Sequence, residues 1–131
     1  MLKNITSKDL HWFVGLFESF GAVQIESTNK TPTLVMEFKS AYLDRLIEIC
    51  RALGYEGAPS GPRKPSGHSV QPQYLLTFRG ANFAMIENVL VKHLRTSKRD
   101  IFARRRAELK ALRESLGLSG GRFVIDAGVT A

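Results

Sequence analysis

Ten of the 19 Lys and Arg residues fall between positions 92 and 131, against four of the 12 Asp and Glu residues. A one-sided run of fixed positive charge does one kind of chemistry well, which is to hold a polyanion. The run consists of Lys92, Arg95, Lys98, Arg99, Arg104, Arg105, Arg106, Lys110 and Arg113, with Arg122 beyond it. Guanidinium forks grip phosphate oxygens bidentately and ammonium groups hold them as point charges. Residues 1–91 are nearly neutral, with nine cations and eight anions, so most of the net charge of +7 is local to the last third. Nucleic acid is therefore favoured as a partner over a merely solvated basic face. A membrane surface fits poorly, because the basic segment lacks a Trp/Phe-rich insertion face.

Little else in the chain is reactive. Cys50 lies among Ile47, Ile49 and Leu53, the setting of a core thiol rather than an exposed nucleophile. A single cysteine cannot form a disulfide within the chain, which favours a reducing compartment. No apolar stretch approaches the roughly 20 residues that span a bilayer, and MLKNITSKDL has neither a secretory apolar region nor an Arg-rich transit pattern. The expected location is intracellular: cytoplasm, nucleoid or an organelle interior. At 131 residues one domain with one core is expected.

The elements that must carry this charge are legible from periodicity. Thr6 with Asp9 three residues on reads as a helix N-cap, so a first helix is expected from about Ser7 to Ser19, stopped at Gly21. Leu10, Phe13, Val14 and Phe17 make one apolar face of it. Trp12, Gly15, Leu16 and Ser19 repeat the spacing on an adjoining face, and a helix with two such faces lies deep in a core or packs against a second copy or partner. Ala22–Glu26 and Thr33–Lys39 alternate in period two around a turn-rich stretch, predicting a hairpin with Val23, Ile25, Leu34, Met36 and Phe38 inward and Val35, Glu37 and Lys39 outward. Tyr42–Leu53 is helical through Leu43, Leu46, Ile47 and Cys50, ending at Gly54. Residues 57–72 are loose and Pro/Gly-rich, suited to an edge strand or hairpin arm. Gln73–Phe78 is a strand with Tyr74, Leu76 and Phe78 inward. A helix from about Ala81 to Val91 follows, and after a kink a basic helix from Ser97 to about Leu116.

Two β-β-α units after a leading helix define an α+β fold, one α-β-β-α-β-β-α domain over residues 1–118, with helices on one face of an antiparallel sheet and the other face open. Residues 119–131 form a tail, in which Phe123–Ile125 is a short strand-like unit with the potential to add to a partner's sheet edge.

This order, opened by WFVGLFESFG, resembles a single-motif subunit of the LAGLIDADG homing endonuclease family. Phe13, Val14, Gly15, Leu16, Phe17, Glu18, Ser19, Phe20 and Gly21 match the motif in its apolar start, its glycine, its acid at the sixth place and its final glycine. The resemblance runs from about Ser7 to Leu112 and includes a late Lys-x-x-x-Phe segment at Lys98. It implies a saddle-shaped sheet lying in a DNA major groove and a dimer through the motif helix, with Trp12, Gly15, Leu16 and Ser19 as the subunit contact. Groove-facing candidates are then Gln24, Glu26, Thr28 and Lys30, Val35, Glu37 and Lys39, and Gln73, Leu75, Thr77 and Arg79, with Arg63, Lys64 and His68 on the second hairpin's extension. Gln reads adenine edges and Arg guanine edges, while Lys30 and Lys64 suit phosphates.

At the family's metal-binding place, the eighth of the motif, this chain has Phe20. The resemblance implies carboxylates at the helix ends that bind a divalent metal and activate water, and phenylalanine ligates nothing. Two such rings in a dimer would form an apolar plug. Glu18 lies about 200° around the helix from Phe20 and should point away. Ser40 falls near the family's polar solvent-ordering position, and Lys98 matches the lysine that approaches the scissile phosphate. No metal or other cofactor is expected, magnesium entering only with an active enzyme. Three readings follow. The leading one is a protein that kept the scaffold and basic surface, lost cleavage, and binds DNA or structured RNA as a regulator, splicing aid or ribonucleoprotein component. The basic last helix leans it towards RNA or a larger assembly. The second is an active magnesium-dependent endonuclease, as a homodimer or with a partner chain supplying the acid. The third is a protein interaction module.

Overall fold

The computed structural model describes residues 1–27, 31–64, 71–118, 125–126 and 129–130. Helix α1 (Ser7–Phe20) leads into strand β1 (Gly21–Glu26), and β2 (Thr33–Ser40) returns beside it. Then come α2 (Leu43–Leu53), β3 (Ser60–Arg63), β4 (Gln73–Phe78), α3 (Gly80–Leu90), a 3-10 turn (Ser97–Asp100) and α4 (Ile101–Ser115). Two short strands, β5 (Ile125–Asp126) and β6 (Val129–Thr130), pair in the tail; Phe123 and Val124 of the expected strand-like unit lie outside the described residues. The first four strands form one antiparallel sheet in the order β1-β2-β4-β3. The α+β class and the element order are those expected.

Local chemistry explains the boundaries. The Thr6 hydroxyl accepts from the Asp9 N–H at 3.0 Å, satisfying one orphan donor of α1, a cap worth about 1 kcal/mol. At the other end Gly21 is extended rather than left-handed, and its role is steric: a Cβ there would sit 2.3 Å from the Phe17 ring. Gly54, by contrast, closes α2 at φ 67°, where glycine costs least.

One apolar cluster joins every helix to one sheet face. It takes Phe13 and Phe17 from α1, Val23, Leu34, Met36, Phe38, Leu76 and Phe78 from the strands, Leu46, Ile49, Cys50 and Leu53 from α2, Phe83, Ile86 and Leu90 from α3, and Phe102 from α4. Cys50 is buried here, and desolvation pushes its thiol up, as a core thiol requires. The packing phase of α2 differs from expectation: Ile49 is inward, whereas Leu43 and Ile47 are 36% and 51% exposed. The apolar pattern on α2 is wider than the contact it makes. The loose stretch does supply an edge strand, β3, whose register against β4 is irregular between Ser60 and Arg63.

The last helix is pinned from within. Arg113, 6% exposed, donates from Nε and Nη2 to the Pro32 carbonyl at 3.0 and 2.7 Å, tying the end of α4 to the start of the second strand. Replacing Arg113 by Leu leaves that carbonyl without these donors. The expected cost is about 2 kcal/mol, read as a lower urea midpoint at unchanged slope.

Candidate nucleic-acid interface

Register puts the expected residues together on the face away from the helices. Gln24 is opposite Val35, Ala22 opposite Glu37, Glu37 opposite Thr77, and Lys39 opposite Leu75. Arg63 pairs with Gln73 at the edge. Glu37, Lys39, Arg63, Lys64, Gln73 and Leu75 line, with Tyr74, an open depression of about 320 Å³. Thr28, Lys30 and His68 lie outside the described residues.

Two features of this face depart from a simple row of readers. The Arg79 guanidinium binds both Glu26 oxygens at 2.7 Å, so each is satisfied by the other, and Arg79 holds the Glu26 carboxyl below its ordinary range. Arg79 follows β4 and Glu26 ends β1, so this pair reaches across β2. Val35, one register step beyond the Met36–Phe78 pair, is 1% exposed beneath that crossing rather than open. The charges of Glu26 and Arg79 thereby neutralise each other.

The basic last third divides in two. Arg105 donates from Nε to the Val23 carbonyl at 2.8 Å and from Nη1 to Glu108 at 2.7 Å. Arg106 forks onto both Glu87 oxygens, and Arg113 is buried. These three residues fasten α4 to the body or to itself. Arg95, Arg99, Arg104 and Lys110 are exposed with no side-chain carboxylate partner among the described residues.

Several of the expected residues gather at the C-terminal end of α1. Gly21 pairs with Phe38, Tyr74 with Ser40, and Gln73 with Arg63, so the starts of β1 and β4 and the ends of β2 and β3 meet at one end of the sheet. Phe20 reaches that end half-buried, its ring edge-on to Phe38 with centroids 5.6 Å apart. Lys98 Nζ donates to the Gly21 carbonyl and lies 5.6 Å from the Phe17 ring centroid, placing its charge at the C-terminal end of α1. Ser40 accepts from the Tyr42 N–H at 3.0 Å and so shapes the entry to α2. Glu18 points the other way: it accepts from Thr96 Oγ1 at 2.5 Å and from the Arg95 N–H at 2.9 Å.

Arg45 was passed over in the sequence and belongs to this end. Its guanidinium carbon lies 5.5 Å from the Phe20 ring centroid and 5.3 Å from that of Tyr42. The only sequence signal for it is the i, i+3 spacing of Tyr42 and Arg45 at a helix start. These residues do not fit a divalent metal. Phe20 offers no lone pair, and a guanidinium over its ring repels a second cation.

On the outer side of α1, Trp12 is 36% exposed, Ser19 is exposed, and a Cβ on Gly15 would meet nothing within 4 Å. Leu16 is half-buried against the core. Within one chain this second face is open. No helix among the described residues is long and apolar enough to cross a membrane.

Fold and site together define an α+β domain whose open sheet face carries Lys39, Arg63 and Lys64 beside Glu37. No family model matches the chain, and no curated protein matches it. Among solved structures it is similar to a homing endonuclease, I-TnaI, at 21% identity over 81% of this chain and 74% of that one, with a TM-score of 0.49.

The Glu18 cap carries a pH dependence. Hydrogen bonds from the Thr96 hydroxyl first, then from the Arg95 backbone, hold its carboxyl below the ordinary 4.5. Because the folded value is the lower one, its contribution is fully present above pH 4.5 and is lost as pH falls below that value through the folded one. Glu18→Gln should therefore melt below the parent at neutral pH, with the gap closing as the buffer is made acidic. A gap independent of pH would contradict the cap.

Proposed function

We propose that this chain is a nucleic-acid-binding protein of LAGLIDADG-like design that holds a phosphate backbone across its open sheet face and does not cut it. The observation that carries this reading is Phe20, at the motif's eighth place, packed on Phe38 and covered by the Arg45 guanidinium. A phosphodiester is cleaved in this class of site by carboxylate-held metal and an activated water; a ring and a guanidinium supply neither. Binding needs only cations and a surface, and Lys39, Arg63 and Lys64 line the open depression. The open outer face of α1 suits a second copy, which would extend two such sheet faces along one duplex. DNA and structured RNA both present the phosphates this face would grip, and with Arg105, Arg106 and Arg113 engaged within the fold the sheet face carries more of the binding than the last helix does.

One observation favours a second reading. Lys98 sits at the end of the motif helix, where the resemblance places the lysine of the scissile phosphate. A related chain carrying the missing acid would then make a mixed dimer that nicks one strand.

Salt titration of binding separates these ideas. The parent should bind labelled duplex DNA or a structured RNA with an affinity that falls steeply with salt. Changing Lys39, Arg63 and Lys64 together to Gln should weaken binding for every sequence and lower the log–log salt slope by about 2 to 3. Changing Arg104 and Lys110 to Gln should move it less. Incubation with magnesium should leave a supercoiled plasmid intact; nicking by this chain alone would favour an active homodimeric endonuclease, nicking only when a related acid-bearing chain is added would favour the mixed dimer, and salt-insensitive binding to other polypeptides would favour an interaction module.

A further inference from the structure

We propose that Arg45 is the cation that receives a nucleic-acid phosphate at the end of the motif helix, taking the place of a divalent metal, so that binding there is independent of magnesium. The inference rests on the nucleic-acid-binding reading above and names the group that does the holding at its centre.

Three observations converge on Arg45. The first is position. Arg45 lies in the first turn of α2, which follows β2 directly, and its guanidinium reaches Phe20, the last residue of α1. It therefore stands at the same end of the sheet as Lys39, Gln73, Arg63 and the Lys98 ammonium. A backbone crossing that end meets several cations.

The second is fixation. A free arginine on a surface samples many rotamers, and ordering them costs up to about 2 kcal/mol. Here Phe20 and Tyr42 place ring faces 5.5 and 5.3 Å from the guanidinium carbon, inside the range where a ring attracts a cation. Tyr42 is itself 60% exposed. The two rings confine a guanidinium that belongs to an exposed residue, and a guanidinium fork matches a phosphate bidentately.

The third is vacancy of partnership. Arg45 is exposed, and among the described residues no carboxylate pairs with its guanidinium. The nearest acid in sequence, Asp44, instead accepts from the Arg45 backbone N–H at 3.0 Å. The contrast with Arg51, Arg79, Arg105 and Arg106 is direct, since each of these has a carboxylate of its own. A held, desolvatable and unneutralised guanidinium is what a phosphate site requires.

A metal bridges phosphate and protein and exchanges with solvent; a guanidinium is covalently attached and carries its own donors. The consequence is that a chelator removes nothing from the site.

The test uses the full chain, a labelled DNA duplex and a labelled RNA hairpin, with affinity measured over a range of potassium chloride, in EDTA and again in magnesium chloride. The parent should bind equally in both. Arg45→Gln should bind roughly tenfold more weakly and lower the log–log salt slope by about 0.9 on duplex DNA, with an unchanged melting temperature. Arg45→Lys should restore the slope and only part of the affinity, because the rings no longer orient a fork. If the parent binds but Arg45→Gln matches it in affinity and slope, or if EDTA abolishes binding, the assignment of Arg45 is overturned while the nucleic-acid reading stands. If the parent binds neither probe, that reading itself falls and this inference with it.

Discussion

Phe38 is the contact on which the arrangement turns. Its ring meets Phe13, Phe17 and Phe20 of α1 at centroid distances of 5.5, 6.1 and 5.6 Å, and Phe78 of β4 at 6.2 Å. Residues 13, 17 and 20 are one stripe of a helix, so a single β2 side chain fixes the C-terminal half of α1 against the sheet. Aromatic pairs in these tilted and edge-on geometries add about 0.5–1.5 kcal/mol each beyond burial. Phe20 is thus a packing partner of Phe38 at the end of α1. A carboxylate there would face an apolar ring and a guanidinium, and would have to be paid for by one of them.

The same contact sets the charge pattern. With Phe20 packed on Phe38, its ring also receives Arg45, and the Lys98 ammonium binds the next residue's carbonyl, that of Gly21, over the Phe17 ring. Aromatic packing, a helix C-terminus and two cations are therefore coupled within a few residues. Elsewhere cations serve the fold. Arg105 and Arg113 satisfy main-chain carbonyls of β1 and of the residue before β2, and Arg106 meets Glu87 of α3. Net charge alone does not distinguish the two uses. What distinguishes them is whether the donors are already engaged, because an arginine committed to a buried carbonyl must break that bond before it can grip a phosphate.

Periodicity was enough for the architecture. Most strands and helices begin and end within a residue or two of where alternation, the Thr6 cap and the glycines at 21 and 54 place them; the last helix is the exception, since Ser97–Asp100 is a 3-10 turn and α4 starts only at Ile101, and of the inward strand residues Ile25 and Tyr74 are half-buried while the rest are buried. What periodicity lacks is any knowledge of partners in other elements. Val35 alternates outward correctly yet is buried, because Arg79 and Glu26 meet across β2, 53 positions apart in the chain. Ile47 reads as core because apolar residues outnumber the places α2 can bury. Arg105 and Arg106 read as free charge because their partners, Val23 and Glu87, belong to a strand and another helix. Arg45 was invisible for the converse reason: it is an ordinary charged residue in an ordinary amphipathic helix until Phe20 is folded beneath it.

In a metal-dependent nuclease the acid and the bound cation do separate jobs, one fixing position and the other supplying charge and an activated water. Under the binding reading, Phe20 keeps the first job by packing, and Arg45 keeps the charge. Only the activated water has no heir, since an arginine stays protonated across the accessible pH range and serves as neither general base nor Lewis acid towards water. Affinity for the backbone and capacity to cut it are then separable by a change confined to one helix end. The sheet, its register and its free cations need not change at all, because they act on phosphates that are present whether or not one of them is being attacked.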